Sequence, residues 1–197
     1  MNAPRKERRT IEAVEECVAA VKDGEIERFR YIVEHYQQQI YIYCSRILNS
    51  EQDAEDAIQE IFLKTYKAIP SYTPKISFNS WIYKIAYNHC MNILRKRKLN
   101  SKLDSILKLD SSNKYLENFD TGVFSPHLEE IFFKVLRDEE RNLMILHVFH
   151  EKNYQEIAEI IGKSPEAIRK KISRIKEKIK IEYTKSRKED EQCVFTM

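Results

Sequence analysis

Apolar residues recur at steps of three and four along most of the chain, and this spacing predicts amphipathic helices. The longest run extends from Ile26 to Leu48. A shorter helix, Thr10 to Val21, precedes it and ends near Gly24. Asn49-Ser50 interrupts the pattern and offers a cap for a third helix, which Pro70 ends. The first part of the chain is therefore predicted to be helical.

A loop is expected at residues 71–80, followed by a helix that starts at Trp81 and runs into the basic stretch Arg95 to Lys98. Residues 99–127 then lose the periodicity and contain scattered serine, asparagine and aspartate. This composition is typical of a linker.

Order is expected to resume at Leu128, with a further helix over Leu143 to Phe149. Two short helices follow, Tyr154 to Ile161 and Pro165 to Ile181. The charged end of the chain, residues 186–197, is predicted to be a frayed tail.

The composition agrees with an all-α fold, because the 197 residues include only 3 glycines and 5 prolines. We expect two small helical domains, residues 1–98 and 128–185, joined by a flexible linker over residues 99–127. A chain of this length with 33% charged residues has room for small cores but not for a large enzyme-type core.

The net charge of +3 hides strong local asymmetry. Lys163 to Lys180 carries eight basic residues and two acidic ones, and Lys84 to Lys98 carries five basic residues and no acid. By contrast, Asn49 to Glu60 carries five acidic residues and no base. Basic blocks attract phosphate, whereas the acidic block favours a separate, basic partner.

The four cysteines are widely spaced and form no CxxC pair, so no disulfide framework is indicated. We find no signal peptide and no run of about 20 apolar residues that would span a bilayer. The expectation is a cytoplasmic protein with reduced thiols.

The segment Tyr154 to Ile172 has the features of a helix-turn-helix. Ala158 is small where two helices would cross, and Gly162 is placed for a turn that needs positive φ. Ile168 is expected to be buried between the helices, and Ser164 to cap the second one. An αα-hairpin of an ordinary bundle would share the apolar spacing, but not the capped start and the basic outer face.

The second helix of this motif would present polar side chains to the DNA major groove. Glu166 either accepts from a cytosine amino group or only supports the helix N-terminus. The predicted DNA-binding residues are Ser164, Glu166, Arg169, Lys170, Ser173 and Arg174.

Several segments together resemble extracytoplasmic-function sigma factors of bacterial RNA polymerase. Asp53 to Tyr66, Phe78 to Asn88 and Arg95 to Lys98 resemble the second conserved region of that family. The helix-turn-helix, preceded by Leu136 to Asn142, resembles the fourth region. The resemblance covers roughly residues 14–98 and 128–181.

The resemblance implies partners and roles for the first block. The acidic helix would bind the β′ clamp coiled coil of core RNA polymerase, through Asp53, Asp56, Gln59 and Glu60. Compensation of the helix dipole is the structural alternative for these acids.

The loop and the helix after it would handle the minus-ten element of promoter DNA, where single-stranded bases must be held outside the duplex. The residues predicted for this element are Tyr72, Phe78, Asn79, Asn88, Arg95, Lys96, Arg97 and Lys98. Core packing is the alternative for the aromatic residues, and a solvated helix end is the alternative for the basic ones. A solvent-facing position is the alternative for Tyr83 and Tyr87.

The resemblance also implies that the C-terminal helix reads the minus-thirty-five element, that the polymerase β flap is a further contact, and that an anti-sigma factor regulates the protein. No cofactor, metal or small-molecule substrate is expected, and no enzymatic activity.

Two other classes of protein, a nuclease and a one-component regulator, share some of these features. A metal-dependent nuclease would need ligands beyond the acids of one helix, and Glu55 points away from the face shared by Asp53, Asp56 and Glu60. His147 and His150 are three residues apart but have no further ligand nearby in the sequence. A one-component helix-turn-helix regulator remains the alternative, although the N-terminal block is very helical and charged for an effector-binding domain.

Overall fold

The helical pattern is realised in a computed structural model of the chain, which describes residues 5–106 and 126–194. Across these two ranges all regular secondary structure is helical, which confirms the predicted all-α class. The α-helices are α1 Arg5–Lys22, α2 Phe29–Leu48, α3 Glu51–Ala68, α4 Phe78–Ile106, α5 Pro126–Val135, α6 Asp138–Met144, α7 Tyr154–Ile161 and α8 Pro165–Val194.

The chain divides into two compact units, Met1–Ile93 and Leu94–Met197, so the two-domain fold class is also confirmed. The division falls inside α4. Most of the predicted linker lies outside the described residues, and its boundaries stay a prediction. Within the described ranges no helix is long and apolar enough to cross a membrane.

The core of the first unit is built around α2, which packs against α1 and α3. Its inward side chains are fully or almost fully buried and follow each other at steps of four or three. These are Ile32, Tyr36, Ile40, Tyr43 and Ile47, and the adjacent Leu48 is buried as well. Asn49 then takes a left-handed conformation (φ 51°), and Ser50 caps α3 by accepting a hydrogen bond from the Asp53 N–H at 3.2 Å.

Two helices start earlier than the sequence pattern indicated. α1 starts at Arg5 instead of Thr10, and α4 starts at Phe78 instead of Trp81. Ser77 caps α4, since its Oγ accepts from the Ser80 N–H at 3.1 Å. A short 3₁₀ turn also stands at Ile26–Arg28, where the pattern had predicted the start of a continuous helix.

Two helices end later than predicted. α4 continues to Ile106, eight residues past Lys98, and α8 continues to Val194 instead of ending near Ile181. Neither extension contains glycine or proline, so nothing in the backbone chemistry stops the helix when the apolar periodicity fades. The later turns of α8 also pack against α5, where the rings of Tyr183 and His127 lie 5.5 Å apart.

In the second unit, α8 packs against α5, α6 and α7. The chain after α6 continues as a π-helical turn over Ile145–Phe149 before the helix-turn-helix begins. The buried side chains of this unit come from all of these elements. They include Ile131, Phe132, Leu136, Leu143, Met144, Ile145, Leu146, Ile157, Ile160, Ile168, Ile172 and Ile175.

Gly162 ends α7 with φ +77°, as the turn of the motif requires. A Cβ at this position would meet no atom within 4 Å, so the cost of a side chain is confined to the backbone. We expect Gly162→Ala to lower the free energy of unfolding by about 1–2 kcal/mol, and Gly162→Asn to lower it by less. Chemical denaturation measures both, with the exposed neighbour Lys163→Ala as control. A Gly162→Ala protein as stable as the wild type would contradict the left-handed turn.

Candidate nucleic-acid interface

The acidic residues of α3 occupy the side of the helix that faces solvent. The inward side buries Ala54, Ala57, Ile61, Phe62 and Thr65. On the opposite side Asp56, Gln59 and Glu60 are exposed and Asp53 is half-buried, and we call these four residues the acidic face. Their spacing of three, three and one places them on one surface of about two turns.

Glu60 of the acidic face has only a weak ion pair within its own helix. Glu60 lies 3.9 Å from Lys64 Nζ, and both side chains are about half exposed (56% and 48%), so this pair contributes little to stability. Leu63, one turn beyond Glu60, is 45% exposed and adds an apolar contact area beside the acids. The surface therefore offers negative charge and one apolar side chain to a partner.

Two aromatic residues that were predicted to bind the minus-ten element, Tyr72 and Phe78, are buried next to the loop between α3 and α4. Tyr72 and Phe78 are only 3% and 1% exposed, and their rings pack edge to face at a centroid distance of 5.4 Å. Trp81 lies against both rings, at 5.0 and 5.3 Å. Tyr72 and Phe78 therefore belong to the core in this structure and are not accessible to an extruded base.

Tyr83 is only 1% exposed, so the alternative that it faces solvent is wrong. Its ring packs edge to face on Tyr43 at 5.7 Å. The cause is helical spacing, since Ala86 and Cys90 lie three and seven residues after Tyr83 and share its buried side of α4.

Glu15 of α1 lies at the centre of a polar network beneath the same loop. Its Oε1 atom accepts a hydrogen bond from the Phe78 N–H at 3.1 Å and lies 3.0 Å from the Tyr72 hydroxyl. Lys22 Nζ donates to the Tyr72 carbonyl at 2.7 Å. Burial and the Glu15 carboxylate raise the pKa of Tyr72, so its hydroxyl keeps the proton that it donates. The sequence pattern had assigned nothing to these residues of α1.

The solvent side of α4 carries the remaining residues predicted for the minus-ten element. Asn88 is exposed and Asn79 is half-buried. Further along the helix Arg95, Lys96 and Lys98 are exposed and Arg97 is half-buried. Lys98 Nζ lies 2.6 Å from an Asp138 carboxylate oxygen within the second unit, so this lysine is already engaged by an acid.

The helix-turn-helix has the local geometry that the sequence indicated. Asn153 caps α7, since its side-chain oxygen accepts from the Gln155 and Glu156 N–H groups at 2.9 and 3.0 Å. Ser164 Oγ accepts from the Ala167 N–H at 3.3 Å at the start of α8. Ala158 and Ile168 are buried, at 4% and 1% exposure, where the two helices meet.

In the first turns of α8 the isoleucines and the residues predicted to bind DNA face opposite directions. Ile168, Ile172 and Ile175 are each 1% exposed. Every residue predicted to bind the upstream element is exposed, namely Ser164, Glu166, Arg169, Lys170, Ser173 and Arg174. The structure therefore brings the predicted set together on one surface of a helix of the size that enters a major groove.

Two other lysines of α8 point away from that surface, toward α6. Lys171 Nζ lies 3.1 Å from Glu139, and Lys178 Nζ lies 3.1 Å from Glu140. The hydrogen bond and charge of Lys171 lower the pKa of the Glu139 carboxyl, which therefore stays ionised at neutral pH. Lys171 and Lys178 thus hold α6, whereas Arg169, Lys170 and Arg174 are exposed on the surface predicted to bind DNA.

Histidines and acids in the described residues do not assemble a metal site, since no group of three or more His, Cys, Asp or Glu side chains lies close enough to hold an ion. His147 instead places Nδ1 3.1 Å from the Lys152 carbonyl oxygen, and its ring lies against Tyr154 at 5.1 Å.

Comparison with known proteins matches both blocks of the chain. Residues 32–99 match the family Sigma-70 region 2, and residues 134–179 match Sigma-70, region 4. The extracytoplasmic-function sigma factor SigW of Bacillus subtilis is 28% identical, with 85% of this chain and 95% of SigW covered. A sigma-E factor of Haemophilus influenzae is 29% identical, with 82% and 90% covered.

Solved structures share the fold. CnrH in complex with the cytosolic domain of CnrY superimposes with a TM-score of 0.62 at 18% identity, covering 87% of this chain and 97% of CnrH. The sigma factor RpoE of Bartonella quintana, in complex with the anti-sigma factor NepR, gives a TM-score of 0.60 at 18% identity, covering 77% and 93%.

Both conserved regions of the family are thus present, in the family's order, and the relatives match along nearly their whole length. With the acidic face on α3 and the helix-turn-helix in the second unit, the chain belongs to the extracytoplasmic-function sigma factors, which bind core RNA polymerase, direct it to promoters and help to open the DNA for transcription initiation.

Proposed function

We propose that this sigma factor divides its work among three surfaces. The acidic face of α3 binds the β′ clamp coiled coil, the loop at residues 72–77 and the solvent side of α4 engage the minus-ten element, and the outer surface of α8 reads the minus-thirty-five element. One observation carries this proposal: the four residues of the acidic face lie on α3, whereas the exposed basic residues predicted to bind DNA lie on α4 and α8. A single surface could not attract both a basic protein segment and phosphate.

Because Tyr72 and Phe78 are buried, we assign the recognition of unpaired bases to other residues in and beside the loop. Thr73 and Lys75 are exposed at its centre, and the half-buried Asn79 follows at the start of α4. A hydroxyl, an ammonium and an amide can recognise the edge of an unpaired base. We assign Thr73, Lys75 and Asn79 to the bases, and Asn88, Arg95 and Lys96 to the DNA backbone beside them.

On α8, we assign the earlier residues Arg169 and Lys170 to base edges and the later Arg174 to phosphate. Glu166 and Ser173 lie on the same exposed surface and complete the set that reads the upstream element. The second unit also supplies the contact to the β flap in this proposal.

Regulation by an anti-sigma factor is part of the proposal. It is supported by the similar folds of CnrH and RpoE, whose structures contain the CnrY cytosolic domain and NepR. We also propose that the protein works in the cytoplasm and contributes no catalytic step of its own, the chemistry being that of the polymerase.

Site-specific photocrosslinking tests the division of surfaces. A photoreactive residue replaces Gln59, Lys75 or Lys170 in turn, and each variant is assembled with core RNA polymerase on a promoter. We expect crosslinks to β′ from position 59, to the minus-ten bases from position 75, and to upstream DNA from position 170. DNA crosslinks from position 59 would overturn the assignment of the acidic face.

A further inference from the structure

Helix α1 supports both ends of the loop at residues 72–77 from below. The two side chains involved, Glu15 and Lys22, are seven residues apart and therefore lie on the same side of α1, two turns from each other. None of the three proposed binding surfaces includes α1, although its hydrogen bonds reach residues that are 50 to 63 positions away in the sequence.

At the far end of the loop, Glu15 completes the N-terminus of α4. The first N–H groups of a helix have no partner within the helix. Ser77 Oγ accepts from the Ser80 N–H, and Glu15 Oε1 accepts from the Phe78 N–H at 3.1 Å. A carboxylate is also favoured there by the helix dipole. The side chain of α1 thus fixes the point at which the loop becomes helix.

At the near end of the loop, the same carboxylate holds Tyr72. The Tyr72 hydroxyl lies 3.0 Å from Glu15 Oε1 and 3.0 Å from the Ile76 carbonyl oxygen, so one proton is shared between two acceptors. Lys22 Nζ holds the Tyr72 carbonyl at 2.7 Å. The Tyr72 hydroxyl therefore connects the start of the loop both to Ile76 near its end and to Glu15 of α1.

The middle of the loop is left open by this arrangement. Thr73, Pro74 and Lys75 are exposed, while the residues that anchor the loop at either side, Tyr72 and Phe78, are buried. The Lys75 N–H donates to the Thr73 carbonyl at 2.7 Å, which makes the exposed part a tight turn. A turn whose two ends are held at one carboxylate presents its side chains in a defined direction.

We propose that Glu15 is a positioning residue for recognition of the minus-ten element: it sets the conformation of the loop at residues 72–77 and so determines how Thr73 and Lys75 meet the bases. This inference rests on the proposed role of the loop. Glu15 itself contacts no DNA.

The test uses the full-length chain assembled with core RNA polymerase and a promoter that the wild-type holoenzyme selects from a random library. Transcription is compared on that promoter and on a copy with a scrambled minus-ten element, at saturating holoenzyme. We expect Glu15→Ala to reduce the ratio of the two rates about tenfold, since a hydrogen-bonded charge is removed at both ends of the loop. Glu15→Gln keeps an acceptor oxygen and should restore most of the ratio.

Control variants separate positioning from general stability. Glu16→Ala removes an exposed carboxylate from the next residue of α1 and should leave the ratio unchanged. Preference for the upstream element should be the same in Glu15→Ala and the wild type. If Glu15→Ala fails to fold, Tyr72→Phe decides, because it removes only the hydroxyl and keeps the packed ring, and it should still lower the minus-ten ratio.

The outcomes distinguish this inference from the function on which it rests. A wild-type holoenzyme that ignores the minus-ten scramble would overturn the proposed role of the loop. If the wild type discriminates between the two promoters, and Glu15→Ala or a folded Tyr72→Phe protein discriminates equally well, only the role of Glu15 is overturned. If the transcription lost in Glu15→Ala is proportional to the loss of assembled holoenzyme, Glu15 serves only the stability of the protein.

Discussion

Reversing one charge on the acidic face, Glu60→Lys, is expected to weaken binding to core RNA polymerase at least about tenfold. Glu60 is more than half exposed, and its nearest cation, Lys64, is 3.9 Å away. The substitution should therefore change the free energy of unfolding by only about 0.5 kcal/mol. At a basic surface of the polymerase, by contrast, an attraction becomes a repulsion. Competition with a labelled second sigma factor for core enzyme measures the affinity.

The matched control is Glu16→Lys, which changes the net charge by the same amount at an exposed position of α1. It should bind core enzyme like the wild type. If Glu60→Lys bound equally well, the acids of α3 would serve only the helix and its dipole. If both variants were weakened alike, the effect would come from overall charge and not from the acidic face.

Removing the first arginine of α8, Arg169→Ala, is expected to abolish most of the preference for the upstream element. The side chain is exposed early in the helix, on the side opposite the buried Ile168 and Ile172. An arginine that reaches a guanine edge contributes about 1–3 kcal/mol of discrimination. Run-off transcription on the selected promoter and on a copy with a scrambled upstream element measures the loss.

Lys176→Ala is the comparison for this experiment, because Lys176 is exposed two turns further along the same side of α8. It should cause only a small, salt-dependent loss on both templates. Lys178 is less suitable, since it holds Glu140 of α6. An equal loss on both templates in Arg169→Ala would reassign Arg169 to phosphate, and no change would place this part of α8 away from the DNA.

The helix-turn-helix could be predicted in detail because its determinants are local. Ala158, Gly162, Ser164 and Ile168 lie within eleven residues, and they act through turn geometry, capping or packing inside the motif itself. The acidic face was equally predictable, since helical spacing alone decides which residues share a side of α3.

The loop before α4 could not be predicted in the same way. Whether Tyr72 and Phe78 face a base or the core depends on contacts with residues far away in the sequence, such as Glu15 with the Tyr72 hydroxyl and Tyr36 with the Phe78 ring. A pattern of apolar and polar residues carries no information about such a distant contact. An aromatic residue beside a basic helix therefore fits both interpretations until the packing is known.

The ends of α4 and α8 were predicted too early for a different physical reason. The periodicity of apolar residues shows where a helix is packed, whereas helix propensity and the absence of glycine or proline show how far it continues. Lysine, arginine and glutamate dominate the late turns of α8, and all three are good helix formers.

The most direct test of the whole account is transcription by the purified chain and core RNA polymerase from a library of random duplex DNA, followed by sequencing of the transcribed templates. The account predicts a stoichiometric complex with core enzyme and templates that share two elements, one upstream read by α8 and one at minus ten. Core enzyme alone should select neither. A chain that binds its own DNA site without core enzyme and adds no promoter selectivity to the polymerase would contradict it.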